Sequence, residues 1–309
     1  MKLIVQPDAG IAPIVTAIKQ AKKSIDILIF RLDRFEIAHA LEAAVARGVR
    51  VRALTAHQNR GGTKSLRKLE MSLLQAGVTV SRTADDLVRY HGKMIIIDNK
   101  FLHVYGFNFT GLDIAKSRSF GVISKNKKLI EEANKLFMAD FDRLPYKSGY
   151  ERFVVSPDNA RERLARFIEG AKKRLLIYDP QATDDAMLRL VAERAKAGVD
   201  VRIIGKLEAK WCDAIKNERF PGKRLHIRAI IRDGRRAFMG SQSLRRLELE
   251  KRREVGVIVT DEAVVAQMEQ VFESDWAQTP SGKKKRKKDE KAEKKGKKEK
   301  RELKLAKAS

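Results

Sequence analysis

Apolar and polar positions along the chain follow two periods that take turns. The stretch "SIDILIF" at 24–30 is almost wholly apolar and short, as a strand buried on both faces would be. "VRVRAL" at 49–54 alternates with period two. Between them Glu36–Arg47 has helical spacing, and Gly48 stands where a helix ends. The same succession returns later: "AKKSIDILIF" at 21–30 recurs as "AKKRLLIYDP" at 171–180, and "ARGVRVRAL" at 46–54 as "KAGVDVRII" at 196–204, both offset by 150 residues. A second helix is predicted over Asp185–Ala197. Strands alternating with helices of this length predict parallel α/β layers, and a period this long predicts two lobes of one fold rather than a solenoid. The fold class is therefore α/β, two similar lobes from an internal duplication, spanning 1–145 and 146–278. "LPYKSGYERFVVSPDN" at 144–159 supplies the Pro, Gly and Ser of a connection between them.

The pattern fails after residue 278. "GKKKRKKDEKAEKKGKKEKRELKLAKAS" lacks aromatic and β-branched residues, so 279–309 is expected to be a disordered, Lys-rich tail. From Lys283 to Lys307 it carries 15 Lys and Arg against 5 Asp and Glu, which leaves +16 of the chain's +26 on the body. Such a surface attracts polyanions: nucleic acid, anionic membrane or a phosphorylated substrate. The tail itself would serve as an electrostatic tether to an anionic membrane or to nucleic acid, or simply as a solubilising extension. The single cysteine, Cys212, rules out an intrachain disulfide and a thiolate metal cluster. No apolar run approaches the length that spans a bilayer, and the first residues are too briefly apolar for a signal peptide. These features place the protein in the cytoplasm, with the membrane periphery as a further location.

Candidate chemistry lies in "YHGKMIIIDNKFLHVYGFNFT" at 90–110. At an offset of 135, His91, Lys93 and Asp98 fall on His226, Arg228 and Asp233, while Tyr105-Gly106-Phe107-Asn108 falls on Gly240-Ser241-Gln242-Ser243. Only five histidines occur in the chain, so a histidine kept at the same place in both halves points to function. Strand alternation in "HGKMIIID" puts His91 and Lys93 on one face and Asp98 on the other. Asp98 and Asp233 therefore read as carboxylates that support the site from behind or, more simply, cap the turn after a strand.

The two segments resemble the repeated His-x-Lys-x4-Asp-x6-Gly-Ser-x-Asn motif of the phospholipase D superfamily, with spacing kept in both copies over roughly residues 5–275. The resemblance implies a pseudo-two-fold site around one phosphodiester, needing no metal and no cofactor. One histidine attacks phosphorus to form a phosphohistidine; the other protonates the leaving oxygen and then activates water or an alcohol. His91 is the expected nucleophile and His226 the acid/base, with Glu254 holding the tautomer of His226. Lys93, Asn108, Arg228, Ser241 and Ser243 are the expected phosphate ligands. The copies depart from the motif where Arg228 replaces Lys, Ser243 replaces Asn, Tyr105-Gly106 replaces Gly-Ser, and Ser119 stands opposite Glu254.

The expected activity is hydrolysis or transfer of phosphatidyl groups. A nuclease of the same superfamily is the alternative, weakened by an aromatic content of 6% that offers few stacking platforms. A phosphate-binding protein without turnover is the third reading, supported by Arg228 and Ser243. Both motifs lie in one chain, so a monomer suffices for one site. Tyr146, Tyr150, Trp211 and Trp276 offer either a lipid-facing rim or, more simply, core and interlobe packing.

Overall fold

The computed structural model describes residues 1–58, 63–207, 215–284 and 286–288. The first lobe runs β1 (Lys2–Gln6), α1 (Ala12–Gln20), β2 (Ser24–Ile29), α2 (Phe35–Ala46), β3 (Arg50–Thr55), α3 (Lys64–Gln75), β4 (Thr79–Arg82), β5 (Arg89–Tyr90), β6 (Met94–Ile97), β7 (Phe101–Tyr105), α4 (Gly111–Lys116), β8 (Ser117–Ser124) and α5 (Lys127–Asp142). The second runs β9 (Phe153–Ser156), α6 (Ala160–Glu169), β10 (Arg174–Ala182), α7 (Asp185–Lys196), β11 (Asp200–Leu207), β12 (Lys216–Glu218), β13 (Arg224–Leu225), β14 (Ala229–Arg232), β15 (Arg236–Gly240), α8 (Arg246–Glu250), β16 (Arg252–Val259) and α9 (Glu262–Ala277). Beyond α9, residues 280–284 and 286–288 are helical, where the sequence leads one to expect no fixed structure; the rest of the tail, 289–309, lies outside the described residues.

The sheets are mixed and built alike. The first has the order β1-β8-β7-β6-β2-β3-β4 and the second β12-β11-β10-β14-β15-β16, with β9 on β16. In each, parallel strands (β2–β3, β10–β11) meet an antiparallel hairpin (β6–β7, β14–β15). Strand β6, "MIII", is buried along its whole length because both sheet faces are covered. The outer faces pack α1 and α2, or α6 and α7, over separate cores. The inner faces share a single core. Ile96, Leu102 and Phe120 of the first sheet and Leu176, Ala229 and Met239 of the second meet there with Phe137 of α5 and Phe272 of α9. Trp276 stacks on Phe272 in this core, and the Tyr146 hydroxyl donates to Glu132, so these two aromatics serve packing rather than a lipid-facing rim; Trp211 lies outside the described residues.

The lobes also exchange strands. β5 of the first lobe pairs with β16 of the second (Arg89↔Arg252, Tyr90↔Arg253), and β13 of the second pairs with β8 of the first (Arg224↔Ser117, Leu225↔Arg118). Matching buried ion pairs cross the interface: Arg118–Asp275 and Arg253–Asp140, each at 3.1 Å. The dyad thus fixes where the two histidine segments lie, since each follows directly on an exchanged strand.

Candidate active site

His91-Gly92-Lys93 leads from β5 into β6, and His226-Ile227-Arg228 from β13 into β14. Each is pinned to the opposite lobe: the His91 amide donates to the Arg253 carbonyl at 2.7 Å and the His226 amide to the Arg118 carbonyl at 2.9 Å. The approach leaves no room for a side chain at Gly92, where a Cβ would stand 2.8 Å from Val255 Cγ2 and 2.9 Å from Leu28 Cδ2. At the other strand ends, Gly106 and Gly240 meet so closely that a Cβ on Gly106 would lie 3.1 Å from the Gly240 carbonyl oxygen. Asn108 and Ser243 follow those glycines.

His91 is almost fully buried, with the edge of Phe30 against it at 4.5 Å between ring centroids. Its Nδ1 is 2.9 Å from Glu254 Oε2. Lys93 Nζ lies 3.0 Å from Nδ1 and 3.1 Å from Nε2, a near-equidistance that sets the ammonium over the ring face rather than on either lone pair. Burial, then the charges of Lys93 and Arg228, hold His91 well below the ordinary histidine range. Burial lowers Lys93 to about 7, against the pull of Glu254. Burial pushes Glu254 up, while Lys93 draws it down.

Glu254 therefore serves His91, not His226, and the expected assignment is corrected. The reason is the strand exchange: β16 runs beside β5, so its carboxylate meets the histidine of the other lobe. By the same symmetry Ser119 of β8 faces the His226 segment, but its hydroxyl reaches only the His226 carbonyl oxygen, at 3.5 Å. The carboxylate near His226 is Asp113 on α4, 3.4 Å from Nδ1, which is within ion-pair range but outside hydrogen-bond geometry, so Nδ1 has no hydrogen-bond partner among the described residues. Asp113 accepts from the Asn108 amide at 2.8 Å and from Asn108 Nδ2 at 2.7 Å, and it pairs with Arg224. Burial, then Arg228, keep His226 well below the usual range, and Asp113 opposes them. Asp113 is the residue that motif reading misses. A signal was present, since it falls on Glu248 at the 135 offset, and Glu248 accepts from the Ser243 amide at 2.7 Å.

Of the expected phosphate ligands, Lys93 and Arg228 are brought together, since each depresses the histidine of the opposite motif. Arg228 Nε donates to Ser243 Oγ at 3.0 Å, which leaves the Ser243 proton available. Asn108 gives one amide proton to Asp113, while its Oδ1 is buried without a partner. The Ser241 hydroxyl lies against the backbone of Val255, accepting from the amide at 3.1 Å and lying 3.3 Å from the carbonyl, and it also acts on Glu254, which it draws down. Asp98 and Asp233 take no part. Their carboxylates accept from the amides of 22–24 and 172–174 respectively, and both sit at positive φ (54° and 55°) in the hairpin turns.

Two histidines, each with a carboxylate from the other lobe, and the cations Lys93 and Arg228 make up the arrangement expected of the phospholipase D superfamily. The family model described as "Cardiolipin synthase, PLD-like domain" matches residues 14–141 and 164–276, and the chain belongs to that family within the phospholipase D superfamily. It is similar to the mitochondrial cardiolipin hydrolase of Canis lupus familiaris, 28% identical over 151 residues, which cover 48% of this chain and 56% of that protein. The chain thus spans little more than half the length of that relative. Among solved structures, the fold resembles phosphatidylserine synthase from Haemophilus influenzae (TM-score 0.66, 11% identity, 89% of this chain and 86% of that one). It also resembles polyphosphate kinase from Porphyromonas gingivalis (TM-score 0.75, 18% identity, 88% of this chain and 46% of that one).

Proposed function

We propose that the chain is a phosphodiesterase that works through a phosphohistidine on His91, with phospholipid as its substrate class. The observation that carries the reading is the His91–Glu254 contact across the dyad. A carboxylate on Nδ1 keeps the proton there and leaves the Nε2 lone pair free, and the depressed basicity of His91 keeps the ring neutral. Nε2 attacks phosphorus, the bond to the leaving oxygen breaks, and His226 supplies that oxygen with a proton. Water or an alcohol then attacks the phosphohistidine, returning its proton to His226 and the electron pair to Nε2. Lys93 and Arg228 balance charge on the non-bridging oxygens, a place that a metal would otherwise fill.

Phospholipid is favoured over nucleic acid by the surroundings of the site. Phe35, Val88 and Leu112 are exposed and lie within a few residues in sequence of Phe30, His91 and Asn108, apolar side chains that suit contact with a bilayer surface. The basic body keeps a nuclease as the second reading. Phosphatidylglycerol and phosphatidylcholine vesicles, single-stranded DNA and duplex DNA, each incubated with the protein in chelator, separate the two by headgroup release or by nicking. Protein mixed with phosphorus-labelled substrate and quenched in alkaline detergent, where a phosphohistidine survives, should carry label on His91. Label on His226, or binding of every substrate without product, would defeat the proposal.

A further inference from the structure

The duplication places one trough in each lobe, between the first helix of the lobe and the hairpin that follows its motif. In the first lobe this trough, about 620 Å³, is lined by Pro13 and Thr16 of α1, Ile97 and Phe101 of the hairpin, and Lys2 of β1. The matched positions in the second lobe are Arg163, Arg166, Arg232, Arg236 and Arg152, and they line a groove of about 450 Å³. Five positions have become arginine in one copy, on an otherwise similar frame.

Their charges are poorly met. Glu151 reaches Arg163 at 3.8 Å and Glu162 reaches Arg166 at 2.7 Å. Among the described residues, Arg152, Arg232 and Arg236 have no carboxylate within ion-pair reach. Arg152 Nε and Arg232 Nη1 instead donate to the carbonyls of Ile258 and Phe167, each at 3.1 Å, and Arg232 stacks over the Phe167 ring at 4.8 Å. Arg163 Nε is buried without a partner. Burial, and then Arg236, lower the basicity of Arg232, the mark of like charges held together.

We propose that this groove is an accessory site for a compact oligophosphate group, either free in solution or as the headgroup of a phosphorylated lipid. Five guanidinium groups have Glu151 and Glu162 at ion-pair distance and Asp233 acting on Arg232 from further off, so about two positive charges remain, which a compact oligophosphate neutralises. Arginine forks match phosphate oxygens in pairs, and a groove of this size lies within the range of about 300–1,000 Å³ that small ligands occupy. The site is distinct from the catalytic one: Arg232 is four residues along β14 from Arg228, about 13 Å at strand rise.

The test is calorimetric titration of the full chain with inorganic triphosphate, alongside the double variant Arg232→Ile, Arg236→Phe, which restores the residues of the first lobe. Triphosphate should bind the parent and a His91→Ala variant alike, and the double variant at least tenfold more weakly, with its activity on a soluble diester retained. Arg236→Gln, a substitution at an exposed position, repeats the test if the double variant melts early. Flotation with vesicles containing a bisphosphorylated inositol lipid, against plain phosphatidylcholine, identifies the source. Arginine-dependent capture by these vesicles assigns a lipid headgroup, and triphosphate binding alone assigns a free ligand. Affinities of both variants within twofold of the parent in both arms would overturn the proposal.

Discussion

Glu254→Gln removes one charge and almost no volume from the contact on which the proposed role of His91 as nucleophile rests. In the parent, Glu254 Oε2 lies 2.9 Å from His91 Nδ1, inside a site shielded from water. As Nε2 bonds to phosphorus the imidazole becomes cationic, and the carboxylate offsets that charge. Unit charges about 4 Å apart attract by about 4 kcal/mol at an effective dielectric of about 20. With charge half developed in the transition state, about 2 kcal/mol is at stake, roughly 30-fold in rate. Glutamine can also present its amide protons to Nδ1 and so release the tautomer; loss of that control in a serine protease triad costs about 10⁴. The charge alone predicts a fall in kcat of about 30-fold, and full loss of the tautomer would carry the fall to about 10⁴ or beyond. KM should stay within about threefold, because Lys93 and Arg228 hold the phosphate and remain in place. Release of p-nitrophenol from bis-p-nitrophenyl phosphate measures both constants, and a melting curve checks the fold. A kcat within about threefold of the parent would show that Glu254 is only a structural carboxylate.

Asp113→Asn should depress His226 further, because Asp113 is the group that raises it against burial and Arg228. His226 must be protonated to act as the acid, so the alkaline limb of kcat/KM, already below the ordinary histidine value, should move to lower pH; an unmoved limb refutes the role. Lys93→Met should abolish turnover while raising the melting temperature at pH 7. Lys93 titrates near 7 when folded and near 10.4 when unfolded, so the unfolded chain binds the extra proton and stability rises with pH between those values. The variant should lose that slope, and a lower melting temperature would contradict the reading. Deleting 289–309 should leave activity on a soluble diester unchanged and weaken binding to anionic vesicles, with the difference shrinking as salt rises; equal binding at low salt would leave the tail a solubilising extension.

The duplication and both histidines could be read from periodicity and spacing, because these are properties of the chain taken in order. Two features of the site share a cause in what spacing omits. Spacing alone puts Glu254 with the histidine of its own lobe, since the exchange of β5 and β13 between sheets leaves only a two-residue strand in each case and no pattern to read. Ser241 counts as a phosphate ligand by motif, yet the direction of one hydroxyl depends on the backbone of β16. Asp113 was legible only by asking which carboxylates the duplication repeats, and its partner Glu248 supplies that answer.

The departures between the copies distinguish two histidines that a symmetric site would leave alike. With a glutamate at both 119 and 254, either histidine would be equally fit to attack. Ser119 withdraws that partner from His226 and leaves Asp113 at 3.4 Å, close enough to tune its charge but not aligned to fix its tautomer. Tyr105, the most drastic change, is harmless to the site for a different reason. Its ring turns away into the first lobe's core beside Phe107 and Phe109, and its hydroxyl meets His103 Nδ1 at 2.9 Å. Gly121 makes room for it, since a Cβ there would stand 2.8 Å from Tyr105 Cδ1. In the second lobe the side chain of Gln242 comes close to Gly240 and Gly256 instead. Degeneracy in the motif is therefore of two kinds: at 119 it changes the chemistry available to a histidine, and at 105 it only changes which side chain fills the space behind the strand.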